Sequence, residues 1–162
     1  MSWQLHRVDD RLIHGQLVIA WGHVYHPQRI VVVDDASAEN EWERDLLASA
    51  APDAEVRVRT VAEAAREYAA EAGAGGGAFL LVPDLATALA LVEAGAAVPR
   101  FNLGGLHYAP GKDKINDYIY LDTADRRAAR ALIERGVALE VQDVPASRAQ
   151  SLTALDPLIA TA

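Results

Sequence analysis

The segment RVDDRLIHGQ, residues 7–16, gathers residue types that carry out group transfer in proteins. Neutral imidazole is a nucleophile near pH 7, so His14 is a candidate to accept a phosphoryl group. Arg11 carries a planar guanidinium that suits a phosphoryl group in transfer. Gly15 leaves space for an anion at the start of a predicted helix. A histidine beside a glycine is weak evidence by itself, because many loop histidines are simply solvated.

Two carboxylates, Asp9 and Asp10, stand directly before Arg11. They have two equally good interpretations. They either orient His14 and bind Arg11, or they are ordinary turn and helix-capping residues.

A second group of candidates follows a later apolar run. Gly104 and Gly105 either let the backbone approach a phosphate or form a plain tight turn. His107 is a candidate second histidine if its loop lies beside that of His14. Lys112 and Lys114 either supply positive charge to the site or to a partner surface, or belong to a solvated loop.

Apolar runs rich in β-formers alternate along the chain with alanine-rich helical stretches. Strands are predicted at 3–8, 29–33, 56–58, 78–82, 101–103, 118–121 and 137–142. Helices are predicted at 15–25, 40–50, 61–72, 85–93, 123–135 and 147–152, the second with Trp42, Leu46 and Leu47 buried. This pattern predicts an α/β fold, an open and mostly parallel twisted sheet of about seven strands with helices on both faces. Ligands then bind at loops that follow strands, among them 9–14 and 104–116.

Length and composition narrow the function further. The 162 residues predict one domain over 1–162. The absence of cysteine excludes disulfide scaffolds, zinc ribbons and thiol catalysis, and a net charge of −8 disfavours nucleic acid as a partner. The chain has no apolar run of membrane-spanning length and no signal-peptide pattern, so we expect a cytoplasmic protein without direct membrane insertion.

Other polar segments have simpler explanations. Asp34 and Asp35 end a predicted strand but lack a third convergent ligand, so no metal is predicted there. The glycine cluster at 73–77 lacks the Gly-Lys-Ser/Thr ending of a phosphate-binding loop, and no cofactor is predicted. His6 and Arg7 alternate in a strand, so at most one of them faces the site.

The motif at residues 7–16 closely resembles the N-terminal motif of the IIB components of the mannose/fructose/sorbose-family sugar phosphotransferase system (PTS). The resemblance extends along the chain. Further matching segments are IVVVDD at 30–35, AAP at 50–52, NLGGLH at 102–107 with Gly111-Lys112, and QDVP at 142–145. It implies an open, mostly parallel sheet with one antiparallel strand.

The resemblance implies a phosphoryl carrier of a phosphoenolpyruvate-dependent system, a protein-Nπ-phosphohistidine–sugar phosphotransferase component. His14 would accept the phosphoryl group from a histidine of a IIA partner, and Arg11 would steady it. The group would then pass to a sugar bound by the membrane IIC and IID components. A homodimer is compatible with the family. Two alternatives remain open: a regulatory phosphohistidine protein of the same fold, and a binding domain in which His14 is unreactive.

Overall fold

Seven strands form one open, mixed sheet in the computed structural model, which describes residues 2–162. The chain contains nine strands in the described range: β1 (Trp3–Asp9), β2 (Arg29–Val33), β3 (Glu55–Arg59), β4 (Ala78–Val82), β5 (Arg100–Gly105), β6 (Asp113–Asn116), β7 (Ile119–Leu121), β8 (Ala138–Val141) and β9 (Gln150–Ser151). The sheet order is β3-β2-β4-β1-β5-β8-β9, and β9 alone is antiparallel to its neighbour. The predicted α/β class and its single antiparallel strand are confirmed.

The helical elements follow most strands and are mostly short. They are a π-helix (Leu17–Trp21), α1 (Gly22–Tyr25), α2 (Asp35–Ala38), α3 (Glu41–Ala50), α4 (Val61–Ala72), α5 (Leu85–Glu93), α6 (Thr123–Glu134), α7 (Leu152–Leu155) and a 3₁₀-helix (Pro157–Thr161). Their starts follow from the sequence, because an Asp, Asn or Thr side chain accepts a backbone N–H in the first turn of α2 to α6. None of the helices in residues 2–162 combines the length and apolar character needed to cross a bilayer.

Two apolar cores lie on opposite faces of the sheet. The first core contains side chains of α4, α5 and α6, such as Tyr68, Leu85 and Leu132. The second core contains Leu17 and Trp21 of the π-helix. The central strands β2 and β4 are buried throughout, as expected of parallel strands covered on both faces.

The neighbouring strands β1 and β5 send the chain to opposite faces. After β1 the chain enters the π-helix on the second core, and after β5 it continues through β6 and β7 to α6 on the first core. Such a divergence opens a crevice at the carboxyl ends of the two strands, where ligands bind in open α/β sheets. The crevice is bounded by the two segments that the sequence singled out.

The structure corrects two predictions of secondary structure and one of burial. The strand predicted at 118–121 is confirmed only as β7, which pairs with β6 in a local hairpin outside the sheet. The helix predicted at 147–152 is wrong, since Gln150–Ser151 is the antiparallel edge strand and α7 begins at Leu152. On α3, Trp42 and Leu46 are 71% and 54% exposed, so the predicted burial of these two is wrong.

Asp34 and Asp35 have structural roles at the end of β2. The Asp34 carboxylate accepts the N–H of Ser37 and caps α2. The Asp35 carboxylate accepts the N–H of Val61, 2.8 Å away, at the start of α4. Both carboxylates therefore serve helix starts.

Candidate active site

A tight turn after β1 orients the candidate nucleophile. The N–H of Leu12 donates to the carbonyl of Asp9 at 3.0 Å, and Leu12 adopts a left-handed backbone with φ of 56°. This conformation costs about 1–2 kcal/mol for a non-glycine residue. The buried side chains of Leu12 and Ile13 in the second core hold it in place. His14 follows, and its carbonyl accepts the N–H of Val18 where the helical segment begins.

Asp9 lies at the centre of the site and contacts both Arg11 and His14. Its side chain has no exposed surface, and it accepts three hydrogen bonds from Arg11, from the backbone N–H at 3.1 Å and from Nε and Nη2 at 3.0 Å. Burial alone would raise the pKa of Asp9, but the hydrogen bonds and charge of Arg11, with a smaller contribution from His14, lower it below its usual value. Asp9 is therefore an ionised, fixed acceptor at neutral pH.

The ring of His14 rests on this carboxylate. Nε2 lies 3.1 Å from Oδ2 of Asp9, and within residues 2–162 the ring makes no other hydrogen bond. The side chain is 15% exposed, so it can be reached from outside. Burial lowers the pKa of His14, Arg11 and Arg7 lower it further, and Asp9 opposes them without reversing the direction. A neutral ring that donates from Nε2 leaves the lone pair of Nδ1 free for attack.

Arg11 forms a two-point pair with Asp9, and its Nη2 also lies 3.4 Å from the carbonyl of Gly104. The side chain remains 34% exposed. Arg11 and His14 lie next to each other, because both side chains bind the carboxylate of Asp9.

Gly104 and Gly105 are the last residues of β5, so the alternative of a tight turn is wrong. A Cβ on Gly104 would lie 1.8 Å from Nη2 of Arg7, and one on Gly105 would lie 3.1 Å from both Arg11 and Asp9. The strand lacks side chains here because two guanidinium groups and a carboxylate pack against its backbone.

His107 lies at the mouth of the crevice and is joined to the His14 loop through Asp10. The Asp10 carboxylate accepts the backbone N–H of His107 at 2.7 Å and contacts its Nδ1 at 2.6 Å. The Asp10 N–H also donates to the carbonyl of Gly105. The two loops therefore lie side by side, as the parallel sheet predicted.

The remaining candidates lie around this group. Open space surrounds the position where a Cβ of Gly15 would stand. Lys112 pairs with Asp125 at 2.8 Å, and Lys114 pairs with Asp117 at 3.1 Å. These ion pairs offset the positive charge that one of the two interpretations assigned to the lysines.

Sequence reasoning missed Arg7 as part of the site. Its guanidinium is wholly buried beneath Asp9, with Nε 3.5 Å from Oδ2 of that carboxylate. The signal was present, because Arg7 and Asp9 are two residues apart on a strand and so share one face. A charged residue inside a buried strand needs a partner.

Together, these side chains place a candidate nucleophile with one free ring nitrogen next to a fixed carboxylate and an arginine. Among residues 2–162, no three His, Asp or Glu side chains converge in a way that could hold a metal. The arrangement is suited to accepting a phosphoryl group on His14 and stabilising its charge with Arg11.

Comparison with known proteins bears on this interpretation. Residues 3–161 match the family described as the PTS system sorbose subfamily IIB component. The chain belongs to this family. Phosphotransferase IIB components of the sorbose, mannose and fructose type act in phosphoryl transfer during sugar uptake, so the predicted function as a sugar phosphotransferase component is confirmed, and the regulatory alternative is not favoured.

Individual relatives extend the similarity across the IIB chain. A sorbose-specific EIIB component of Klebsiella pneumoniae is 33% identical over 163 residues, which is 100% of this chain and 98% of that protein. A mannose-specific EIIAB component of Escherichia coli K12 is 36% identical over 141 residues, 86% of this chain and 44% of that protein. The crystal structure of the IIBSor domain of the K. pneumoniae sorbose permease matches with a TM-score of 0.86 and 32% identity, covering 100% of this chain and 99% of that one.

Proposed function

We propose that His14 is the residue that carries the phosphoryl group. A phosphohistidine of a IIA partner donates the group to Nδ1 of His14. The nitrogen–phosphorus bond to the donor breaks as the one to His14 forms. In the second step a hydroxyl oxygen of a sugar bound by the membrane IIC and IID components attacks phosphorus. The bond between phosphorus and Nδ1 of His14 breaks, and the hydroxyl proton is released to solvent.

The observation that carries this proposal is the contact between Nε2 of His14 and Asp9. A carboxylate on one ring nitrogen fixes the tautomer and the ring orientation, so the other nitrogen is the nucleophile. Once Nδ1 binds phosphorus the ring gains positive charge, and the ionised Asp9 stabilises it. Asp9 therefore acts in the same sense before and after the ring is phosphorylated.

Arg11 supplies the positive charge on the outer side of the ring. Its Nε and Nη2 are held by Asp9, which fixes the plane of the guanidinium. The exposed part of that plane is then available to the phosphoryl oxygens without reorganisation at the moment of transfer. Open space also surrounds the position where a Cβ of Gly15 would stand, so the residue after His14 places no side chain in the way of a phosphoryl group.

Asp10 and His107 bound the face on which a IIA partner would dock. Two histidines that exchange a phosphoryl group must come close with little water between them, so the rim of the His14 loop has to be contact surface. We extend the proposal to a cytoplasmic site of action for this chain and to one IIB domain over 1–162.

The test is transfer from a phosphorylated IIA protein of the family, with a radioactive phosphoryl group. Wild type and His107→Ala are expected to carry one acid-labile, base-stable label per chain, while His14→Ala carries none. Addition of membranes with IIC, IID and sugar should then discharge the label. A label retained by His14→Ala, or one lost only in His107→Ala, would refute the assignment.

A further inference from the structure

Arg7 is a buried cation directly beneath the site. It lies on β1 with no exposed side-chain surface. Nη1 donates to Oδ1 of Asn102 at 2.5 Å and to the carbonyl of Gln142 at 3.0 Å, and Nη2 donates to the carbonyl of Asp143 at 2.8 Å. These partners come from β5 and from the segment after β8, so two separate parts of the chain hold the guanidinium of β1.

The residues around this guanidinium leave space for it and pack against it. Gly104 lacks the side chain that would overlap it, and the ring of Trp21 lies 4.8 Å from its Cζ. The indole N–H of Trp21 in turn donates to the carbonyl of Asp143 at 2.9 Å. A π-helix, a conformation found often at functional sites, positions Trp21 there. The hydrogen bonds to both terminal nitrogens and the indole of Trp21 therefore hold the guanidinium of Arg7 in one orientation.

Only one end of Arg7 lacks a hydrogen-bond partner among the described residues. Nε is buried with no hydrogen bond, and it lies 3.5 Å from Oδ2 of Asp9, the oxygen that also contacts His14. The carbonyl and amide oxygens on the other nitrogens carry no formal charge. Asp9 is thus the carboxylate that contributes most to offsetting the charge of Arg7, ahead of Asp143, and it is shared with Arg11 and His14.

We propose that Arg7 is a positioning residue for the reaction of His14, acting through Asp9. Its charge fixes the carboxylate and balances it, so that Asp9 holds the His14 ring by a hydrogen bond without drawing a second proton onto it. The proposal rests on His14 being the phosphoryl acceptor. A ring protonated on both nitrogens has no lone pair with which to attack phosphorus.

The directions of the pKa shifts of Arg7 and His14 agree with this role. Burial lowers the pKa of Arg7 to about 10 against the opposing charge of Asp9, so Arg7 remains a cation at neutral pH. Arg7 is among the groups that lower the pKa of His14, whereas Asp9 raises it. Without Arg7, the pull of the carboxylate on the His14 proton is less opposed.

Several other titratable groups lie near Arg7 and His14. Arg11 lowers the pKa of His14 from the outer side. Asp143 faces Arg7 from the segment after β8. Both Asp143 and Arg7 interact electrostatically with Tyr118 of the hairpin. Asp10 and His107 are paired with each other at the mouth. None of these groups takes the place of Arg7 beneath Asp9.

The test is the titration midpoint of the His14 ring, followed by ¹⁵N NMR in the unphosphorylated protein. Arg7→Gln is expected to raise the midpoint by about one pH unit, a tenfold loss of neutral ring at acidic pH. Arg7→Lys, which keeps the charge, should return most of that shift. Asn102→Asp adds a carboxylate at the far side of Arg7 and should raise the midpoint as well, which gives a second test in a nearly isosteric variant.

Arg126→Gln is the matched control, because Arg126 is also a buried arginine, paired with Asp113 and Asp156 away from the site. It should lower stability and leave the His14 midpoint unchanged. If Arg7→Gln and Asn102→Asp also leave the midpoint unchanged, Arg7 is only structural and the inference is overturned. Phosphoryl labelling of the same samples separates this result from failure of the proposed function, since the titration needs no donor.

Discussion

Replacing Arg11 separates its two roles, in stability and in transfer. In Arg11→Ala the buried Asp9 loses two charge-assisted hydrogen bonds from the side chain but keeps the backbone N–H and His14. Such bonds contribute about 1.5–3 kcal/mol each when buried, and solvent reduces this for a side chain that is one-third exposed. We expect a loss of about 1–2 kcal/mol in the free energy of unfolding, more than an unpaired loop arginine would give.

The expected effect on transfer is larger. Loss of a preorganised donor at the developing charge typically slows a reaction by about 10²–10³, or roughly 3–4 kcal/mol of activation free energy. Single-turnover transfer from phosphorylated IIA measures the rate, and urea unfolding of the same preparation measures stability. The transfer rate of Arg11→Lys should fall between those of wild type and Arg11→Ala, because an ammonium keeps the charge but lacks the two parallel N–H donors of a guanidinium.

Arg57→Ala is the matched control for Arg11. Its side chain is 32% exposed, close to the 34% of Arg11, and it forms a two-point pair with Glu55 on β3. It should leave the transfer rate unchanged. Equal rates for Arg11→Ala and wild type would refute the role of Arg11 and leave it as a residue that only supports the turn.

Two further predictions use other parts of the site and core. Gly105→Ala introduces a Cβ 3.1 Å from Arg11 and Asp9, so transfer should slow by about 10- to 100-fold while the fold stays intact. Gly73→Ala, whose Cβ meets only ordinary contacts, is the control and should change neither the transfer rate nor the fold. Equal transfer rates for the two variants would contradict this prediction. Burial lowers the pKa of His6 to about 4, so the folded state resists its protonation and stability is lost as pH falls from about 6.5 towards 4. Over that range His6→Gln should lose about 3 kcal/mol less than wild type in urea unfolding, and parallel curves would show that His6 does not contribute.

Much of the fold was predictable, because its signals are local. The apolar runs of β2 and β4 are long enough to be buried on both faces, and the capping residues before α3, α4 and α5 stand directly before each helix. The Asp9–His14 segment was found for the same reason, since its residue types lie next to one another in the chain.

The parts that were missed depend on contacts between distant residues. Gln150–Ser151 is a strand only because β8 has a free edge for it, and nothing local marks two polar residues as a strand. Trp42 and Leu46 fit a helical stripe, yet α3 lies at the rim of the sheet and leaves them in solvent. Local periodicity does not reveal where the sheet ends.

The same limit applies to the site. Arg7 meets Asn102 at a separation of 95 residues and the carbonyl of Asp143 at a separation of 136. Gly104 was singled out from the sequence, but its reason, the close approach of a guanidinium, requires knowing that β5 lies beside β1. Sequence found the groups that face outward, and the structure was needed for the cation beneath them.

The central claim, that Nδ1 of His14 carries the phosphoryl group while Asp9 holds Nε2, is tested most directly by ³¹P and ¹⁵N NMR of the protein phosphorylated by IIA. The account predicts one phosphoryl group, coupled to Nδ1 of His14, with Nε2 still protonated beside Asp9. A phosphoryl group on Nε2 of His14, or on any other residue, would contradict it.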